Sequence, residues 1–286
     1  LIEQGHEVSL FASGDSLTKA RLISPCAGSL RLDLNCEDEI AHHILMLEML
    51  QQRIEEFDIV HYHTGYIHFP MARYNRRPNL TTFHGRLNTP DTKNLYNEYR
   101  DLPVVSISQD QRTPFPDAHW VGTVYHGLPV ELLKFNPKGG DYFAFLGRIS
   151  PEKGLDSAIA ISKGCGIPLK VAAKIDKQDE AYFQREIKPL FEDPQIEYIG
   201  EIQEKDKSEF LGNAKALLFP INWPEPFGLV VIEAMACGTP VVAFRRGSVP
   251  EVISEGETGL IVDTIPEAVT AVQQKIEGIS RASCRS

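Results

Sequence analysis

Short apolar runs recur along the chain, each about the length of a strand, with longer mixed stretches between them. Residues 58–64, 79–85 and 103–108 each read as a strand running into a loop. Between the earlier runs, residues 41–55 place Ile44, Leu47, Met49 and Leu50 at apolar spacings that predict a long amphipathic helix. Residues 1–4 with Gly5 read as the last turn of a helix with its cap, and residues 7–12 as a strand. Residues 120–129 predict the last strand of the first half and the turn after it. The rhythm restarts with strands at 142–146, 169–174, 196–202 and 216–220, then with Val241 and Val242. Strands separated by helical stretches predict an α/β fold, with parallel sheets covered on both faces. Ligands on such sheets bind outside the carboxyl ends of the strands. His61, His63, His84, Ser106 and Ser108 fall at or near those ends.

The 286 residues suffice for two ordinary domains. Residues 135–141 combine a proline, two glycines and charge, and make the best boundary. This predicts domains at 1–138 and 139–286. A Rossmann-like domain needs a strand and most of a helix ahead of residue 1, so the expectation is that the beginning is missing; the end is expected to be cut as well. With 42% hydrophobic and 24% charged residues, the composition is that of a soluble globular protein. A net charge of -10 argues against nucleic acid as the main partner, while leaving room for a local basic pocket. Five scattered cysteines without a Cys-x-x-Cys pattern suit a reducing cytoplasm. No apolar run reaches membrane-spanning length.

Two segments carry chemistry. In the first, Trp223-Pro224-Glu225-Pro226-Phe227-Gly228 is an extended loop, because proline flanks Glu225 on both sides. Gly228 opens an apolar helix over 229–236, which Gly238 and Pro240 end. Glu233 is the single acidic residue in that helix, eight positions after Glu225. Eight residues of helix rise about 12 Å, roughly the span from the sugar to the ribose of a nucleotide sugar. Two carboxylates so spaced can grip hydroxyls at both ends, with the helix N-terminus facing a diphosphate between them. In the second segment, Gly147-Arg148-Ile149-Ser150-Pro151-Glu152-Lys153-Gly154 follows a strand. Gly147 permits close approach to a phosphate, and Arg148 and Lys153 supply two positive charges. Ser150 is placed to cap the coming helix, with proline at its first position. The loop is neither a Walker loop nor a Gly-x-Gly-x-x-Gly fingerprint.

The Glu-x7-Glu segment and the Gly-Arg-x-x-x-x-Lys-Gly loop together resemble the retaining GT-B glycosyltransferases of the GT4 family. The resemblance covers nearly the whole chain and is strongest over 142–262. It implies two Rossmann-like domains facing across a cleft, the first taking the acceptor and the second a nucleotide-diphosphate sugar. Arg148 and Lys153 would stabilise the leaving diphosphate without a bound metal. Glu225, with the amides of Phe227, Gly228 and Leu229, would hold the sugar, and Glu233 the ribose. His84, in the Thr-x-x-His-Gly form of Thr81 to Gly85, resembles the position that touches the sugar near its C6. Lys174 would approach the nucleotide or its phosphates, and Ile199 the nucleobase. Arg112 could reach phosphate. His126 stands where relatives show Asn-Gly and is a further candidate ligand. The resemblance implies no cofactor beyond the donor itself. The acceptor, whether sugar, lipid or small molecule, is not specified.

Other readings stay open. His61 and His63 could form a metal pair, since alternate strand residues share a face, but no third ligand is identifiable nearby. The same fold serves nucleotide-sugar epimerases and sugar phosphorylases, or binding without catalysis. A glycoside hydrolase would need a carboxylate pair about 5–10 Å apart across one bond, closer than Glu225 and Glu233 are expected to be.

Overall fold

The computed structural model describes residues 1–33 and 35–286. Contacts divide the chain into two compact units. One comprises Leu1–His84, Asp91–Val105 and Asp117–Gly122; the other comprises Gly85–Pro90, Ser106–Pro116 and Thr123–Ser286.

In the first unit, strands β1 (Ser9–Phe11) and β2 (Arg21–Ile23) form a parallel pair. A second sheet runs in the order β3 (Val60–Tyr62), β4 (Asn79–Thr82), β5 (Val104–Ser106) and β6 (Trp120–Thr123). Its first three strands are parallel. Strand β3 buries Val60 and Tyr62 and turns His61 to the other face, the alternation that a pleated strand imposes. Helix α1 (Glu39–Gln51) is capped by Asp38, whose side chain accepts from the Ala41 amide. It is shorter than the predicted 41–55. The Arg53 amide bonds back to Leu50, tightening the last turn, and residues 54–56 form a separate turn that buries Ile54. Leu47 and Leu50 face inward as their spacing predicts, whereas Ile44 is exposed. Helices α2 (Phe69–Ala72) and α3 (Lys93–Glu98) complete this unit, joined by edge-on contacts among Phe69, Phe83 and Tyr96.

The second unit is built on a six-stranded parallel sheet. Along the chain its elements are β7 (Tyr142–Arg148), α4 (Leu155–Cys165), β8 (Leu169–Lys174), α5 (Glu180–Tyr182), β9 (Ile196–Gly200), α6 (Lys207–Gly212), β10 (Ala214–Phe219), α7 (Leu229–Ala236), β11 (Val241–Phe244), α8 (Val249–Val252), β12 (Gly259–Val262), α9 (Ile265–Lys275) and α10 (Arg281–Arg285). The strand order is β12-β11-β10-β7-β8-β9. The chain therefore builds outward from β7 in one direction, then crosses to β10 and builds in the other. The carboxyl ends of β7 and β10 lie side by side at this switch point, where open α/β sheets bind ligands. Helices on both faces leave Phe143, Ala144, Val171, Leu217, Leu218, Val241 and Val242 at the centre with almost no exposure. Each large apolar side chain so buried contributes about 1.5–3 kcal/mol.

Two late helices were not legible in the chain's pattern. Helix α9 is capped by Thr264, accepts Pro266 in its first turn and buries Ala268 and Val272. Helix α10 carries Arg281 and Arg285 one turn apart. The Arg281 guanidinium donates to the carbonyls of Asn136, Gly212 and Ala214 and to the Thr239 hydroxyl. Arg285 donates to the carbonyls of Val130, Leu133 and Ala236. Ala236 ends α7, so Arg285 places a cation at the negative end of that helix.

Candidate active site

Strand β7 extends two residues beyond the predicted 142–146 and carries Gly147 and Arg148 in its ladder. Register sets Gly147 opposite Ala173 and Arg148 opposite Lys174, so the arginine and lysine leave the sheet as neighbours. A Cβ added to Gly147 would meet nothing within 4 Å, which leaves the space over this strand end open. Arg148 is ringed by acids: Glu152 at 2.7 Å, Asp176 at 3.5 Å and Asp179 at 3.6 Å. Lys174 pairs with Asp176 at 2.7 Å. The Lys174 ammonium, more than Arg148, holds the Asp176 carboxyl below its ordinary range.

The Gly-Arg loop ends differently from the prediction. Ser150 begins only a single 3-10 turn at Pro151–Lys153, and its side chain caps nothing. Among the described residues its buried hydroxyl has no hydrogen-bond partner. Helix α4 begins after Gly154 instead. Gly154 adopts φ +68°, and a Cβ there would lie 2.1 Å from the Pro220 carbonyl oxygen, so only glycine lets the two chains approach. The Asn222 amide then donates to the Glu152 carbonyl at 2.8 Å. The loops after β7 and β10 are thus joined by backbone contact.

That junction brings Lys153 to Glu225, with Nζ 2.5 Å from Oε2. The same ammonium stands 5.3 Å from the centre of the Trp223 ring, and the Arg86 guanidinium lies 5.4 Å from it. The Trp223 indole N–H is buried without a partner among the described residues. The Glu225 loop is braced from behind by Gly247 and Ser248. A Cβ on Gly247 would sit 2.4 Å from the backbone of Glu225. The Ser248 amide donates to the Glu225 carbonyl, and the Ser248 hydroxyl to the Phe227 carbonyl at 2.9 Å. Phe227 is buried, and His126 meets it edge-on at 5.0 Å. Burial lowers the His126 pKa.

Gly228 is the left-handed N-cap of α7, and Leu229, its first residue, is half exposed. Glu233 is buried in the same helix. Its partner is Lys207, with Nζ 2.7 Å from Oε1, and Lys207 also meets Glu204 at 2.8 Å. Sequence reasoning missed Lys207; a buried acid in an apolar helix signals that some cation must face it, but not which one. On β9, Ile199 is exposed. Beside it, the Tyr198 ring stacks on Phe191 at 5.0 Å and its hydroxyl donates to the Ala173 carbonyl. The structure therefore gathers Gly147, Arg148, Lys153, Lys174, Glu225, Phe227, Gly228, Leu229 and Glu233 onto the elements around the β7–β10 switch point. Ile199 lies on the edge strand of the same sheet.

In the first unit the histidines form a local network. His61 Nε2 meets the Thr82 hydroxyl at 2.7 Å, and His63 Nδ1 meets His84 Nε2 at 2.7 Å. His68, which the sequence reading passed over, is fully buried between the hydroxyls of Thr64 and Thr81. Burial pushes its pKa down to about 3. No group of three or more His, Cys, Asp or Glu side chains is arranged to hold a metal ion among the described residues. In the second unit, Arg112 donates from Nε to the Ser106 hydroxyl at 2.9 Å. Among the described residues no helix is long and apolar enough to cross a membrane.

A basic Gly-Arg loop set against a Glu-x7-Glu segment at such a switch point is the arrangement expected of the sugar transferases that the sequence resembles. Family comparison agrees: the glycosyl transferases group 1 profile matches residues 134–281, and the Glycosyltransferase Family 4 profile matches residues 1–144. The chain belongs to the group 1 glycosyltransferase family, and its fold is GT-B. It is 22% identical to the uncharacterized glycosyltransferase MJ1607 of Methanocaldococcus jannaschii, over 92% of this chain and 78% of that protein. It is 28% identical to the O-antigen chain mannosyltransferase B of Escherichia coli, over 52% of this chain. That match spans only 39% of the Escherichia coli enzyme. Among solved structures, sucrose-phosphate synthase from Thermosynechococcus elongatus superposes with a TM-score of 0.75 at 18% identity, covering 99% of this chain and 82% of that one. HepE from Anabaena, in complex with UDP and glucose, superposes with a TM-score of 0.73 at 17% identity, covering 92% and 80%.

Proposed function

We propose that the protein transfers a sugar from a nucleotide-diphosphate sugar to an acceptor with retention of anomeric configuration and without a bound metal. The observation that carries this reading is the junction of the loops after β7 and β10, which sets Lys153 against Glu225. A sugar diphosphate seated there meets two cations, the N-terminus of α7 and a carboxylate for its hydroxyls. The complex of HepE with UDP and glucose supports the same donor class.

In the proposed reaction the acceptor hydroxyl oxygen bonds to the anomeric carbon on the face the diphosphate leaves. The carbon–oxygen bond to phosphate breaks, and its electron pair departs with the nucleoside diphosphate. The acceptor proton passes to a leaving phosphate oxygen, so no enzymatic nucleophile is needed. Arg148, Lys153 and the α7 amides stabilise the developing charge where it appears. Lys174 lies toward the phosphates and Ile199 against the base. Glu225, with the amides of Phe227, Gly228 and Leu229, holds the sugar, and Glu233 holds the ribose. His84 orients the sugar and is not assigned as a base. The domain of residues 1–138 takes the acceptor, and that of 139–286 the donor. Five free cysteines fit a cytoplasmic setting.

Calorimetry with UDP, GDP and ADP tests the orientation of the donor. Glu233→Gln should weaken the nucleoside diphosphate that binds by roughly ten- to a hundredfold, the worth of a lost charged hydrogen bond. Glu225→Gln should leave that affinity nearly unchanged and lower transfer. The opposite ranking would mean that the donor lies the other way round.

A further inference from the structure

Glu233 sits where a carboxylate is costly. Its neighbours on α7, Val231, Ala234 and Met235, are buried and apolar, and Glu233 itself is 8% exposed. A buried charge without a partner is strongly unfavourable, so the site depends on what faces it. The facing group is the first residue of α6, Lys207, which bridges Glu233 and Glu204. Burial works against its ammonium, but the hydrogen bonds it donates to Glu204 and Glu233 outweigh it and raise the Lys207 pKa. The other titratable group that senses Glu233 is Cys237, whose thiol is pushed up to about 11, chiefly by burial. Arg281 and Arg285 act on that thiol, and their hydrogen bonds go to carbonyl oxygens and the Thr239 hydroxyl. Among the described residues, Lys207 is thus the cation that directly meets the Glu233 carboxylate.

We propose that Lys207 is a positioning residue for the nucleotide, fixing one oxygen of Glu233 so that the carboxylate accepts from the ribose hydroxyls in a single orientation. This rests on the assignment of Glu233 to ribose. The geometry is specific: Lys207 Nζ donates to Oε1 of Glu233 at 2.7 Å, so one oxygen of the carboxylate is held by the protein itself. A carboxylate that accepts from both vicinal hydroxyls distinguishes ribose from 2′-deoxyribose. Lys207 therefore controls nucleotide affinity and that sugar preference together, without touching the ligand.

The test is calorimetry on the intact chain with whichever of UDP, GDP and ADP binds most tightly, and with its 2′-deoxy counterpart. Wild type should prefer the ribonucleotide. Lys207→Met should weaken it about tenfold, as expected for one lost charged hydrogen bond, and should abolish most of the preference. Lys207→Arg should restore affinity and preference. If Lys207→Met does not fold, Lys207→Gln carries the same comparison, since it removes the charge and keeps a donor. Should Glu233→Gln lose affinity and preference while the neutral Lys207 variants keep both, the positioning role is wrong and the ribose assignment stands. Should Glu233→Gln itself change neither, the ribose assignment fails first.

Discussion

At the strand ends of the second unit the polar groups are paired charges, whereas at those of the first they are hydrogen-bonded histidines and threonines. Lys153–Glu225, Lys207–Glu233 and the Arg148 cluster are full charges packed over a sheet whose core is almost dry. His61–Thr82, His68–Thr81 and His63–His84 are contacts among ring nitrogens and hydroxyls. The sheets beneath them differ in the same way. Strand β12 is buried at every position, while β1 leaves Leu10 exposed, and Ile59 just before β3 is exposed too. A cavity of about 210 Å3 is lined by residues of β1, α1 and β3. Fixed charges need a rigid, well-covered base, because their value depends on a low local dielectric and on exact placement. Contacts between histidine rings and hydroxyls tolerate a shallower one.

The largest effect should come from the charges. Arg148→Ala or Lys153→Ala should lower transfer turnover by about a hundred- to a thousandfold with the fold intact, the usual loss on removing a donor to developing charge. Product analysis under saturating donor, beside circular dichroism, reads both. Unchanged turnover in both variants would remove the diphosphate assignment.

Next comes the support of that unit. Arg281→Ala leaves the Gly212 and Ala214 carbonyls without their guanidinium partner and should destabilise the second unit by about 3 kcal/mol. Urea unfolding followed by tryptophan fluorescence in a Trp120→Phe background measures it, because Trp223 is then the one remaining tryptophan. A loss below about 1 kcal/mol would show that α10 is an ornament on the unit and not part of its support.

A third effect belongs to the first unit. The folded His68 value, about 3, lies below that of the unfolded chain, near 6.5. The unfolded chain therefore takes up the proton first. Stability tied to neutral His68 is fully present above pH 6.5 and is lost as pH falls toward 3. The loss should approach about 1.4 kcal/mol for each pH unit below 6. His68→Leu should flatten that slope in thermal melts between pH 7 and 5; a slope equal to that of wild type would place the acid sensitivity elsewhere.

The smallest effect calibrates the comparison. Lys19 and Glu3 pair at 2.8 Å, but both side chains are mostly exposed. Lys19→Ala should leave the unfolding midpoint indistinguishable from wild type, since exposed pairs contribute little. A measurable drop would mean that charge pairing matters in the first unit as well.

Some of this architecture was legible residue by residue. The apolar runs at 79–85, 103–108, 142–146 and 169–174, bounded by turn residues, correspond to β4, β5, β7 and β8, and α7 follows from an apolar run between Gly228 and Gly238. Arg148, Lys153, Glu225 and Glu233 stood out because charge in an apolar or glycine-rich setting has few structural uses. Strand β2 did not stand out, since Arg21-Leu22-Ile23 is too short to show a period. Helix α1 ended early because a tightened last turn served Ile54 better than a continued helix. Ser150 carried a capping signal that the structure leaves unused, because Gly154 turns the chain before α4 begins.

Local pattern by itself determined the α/β class, the strand rhythm and the motif residues, because periodicity and turn chemistry act over a few neighbours. It could not determine pairings across long separations. Lys153 meets Glu225 because β7 and β10 are adjacent, Gly247 backs the Glu225 loop because β11 pairs with β10, and Lys207 meets Glu233 because α6 and α7 pack together. Which cation neutralises which buried acid is decided by strand order and close packing, and neither leaves a mark on the residues within one turn of the sequence.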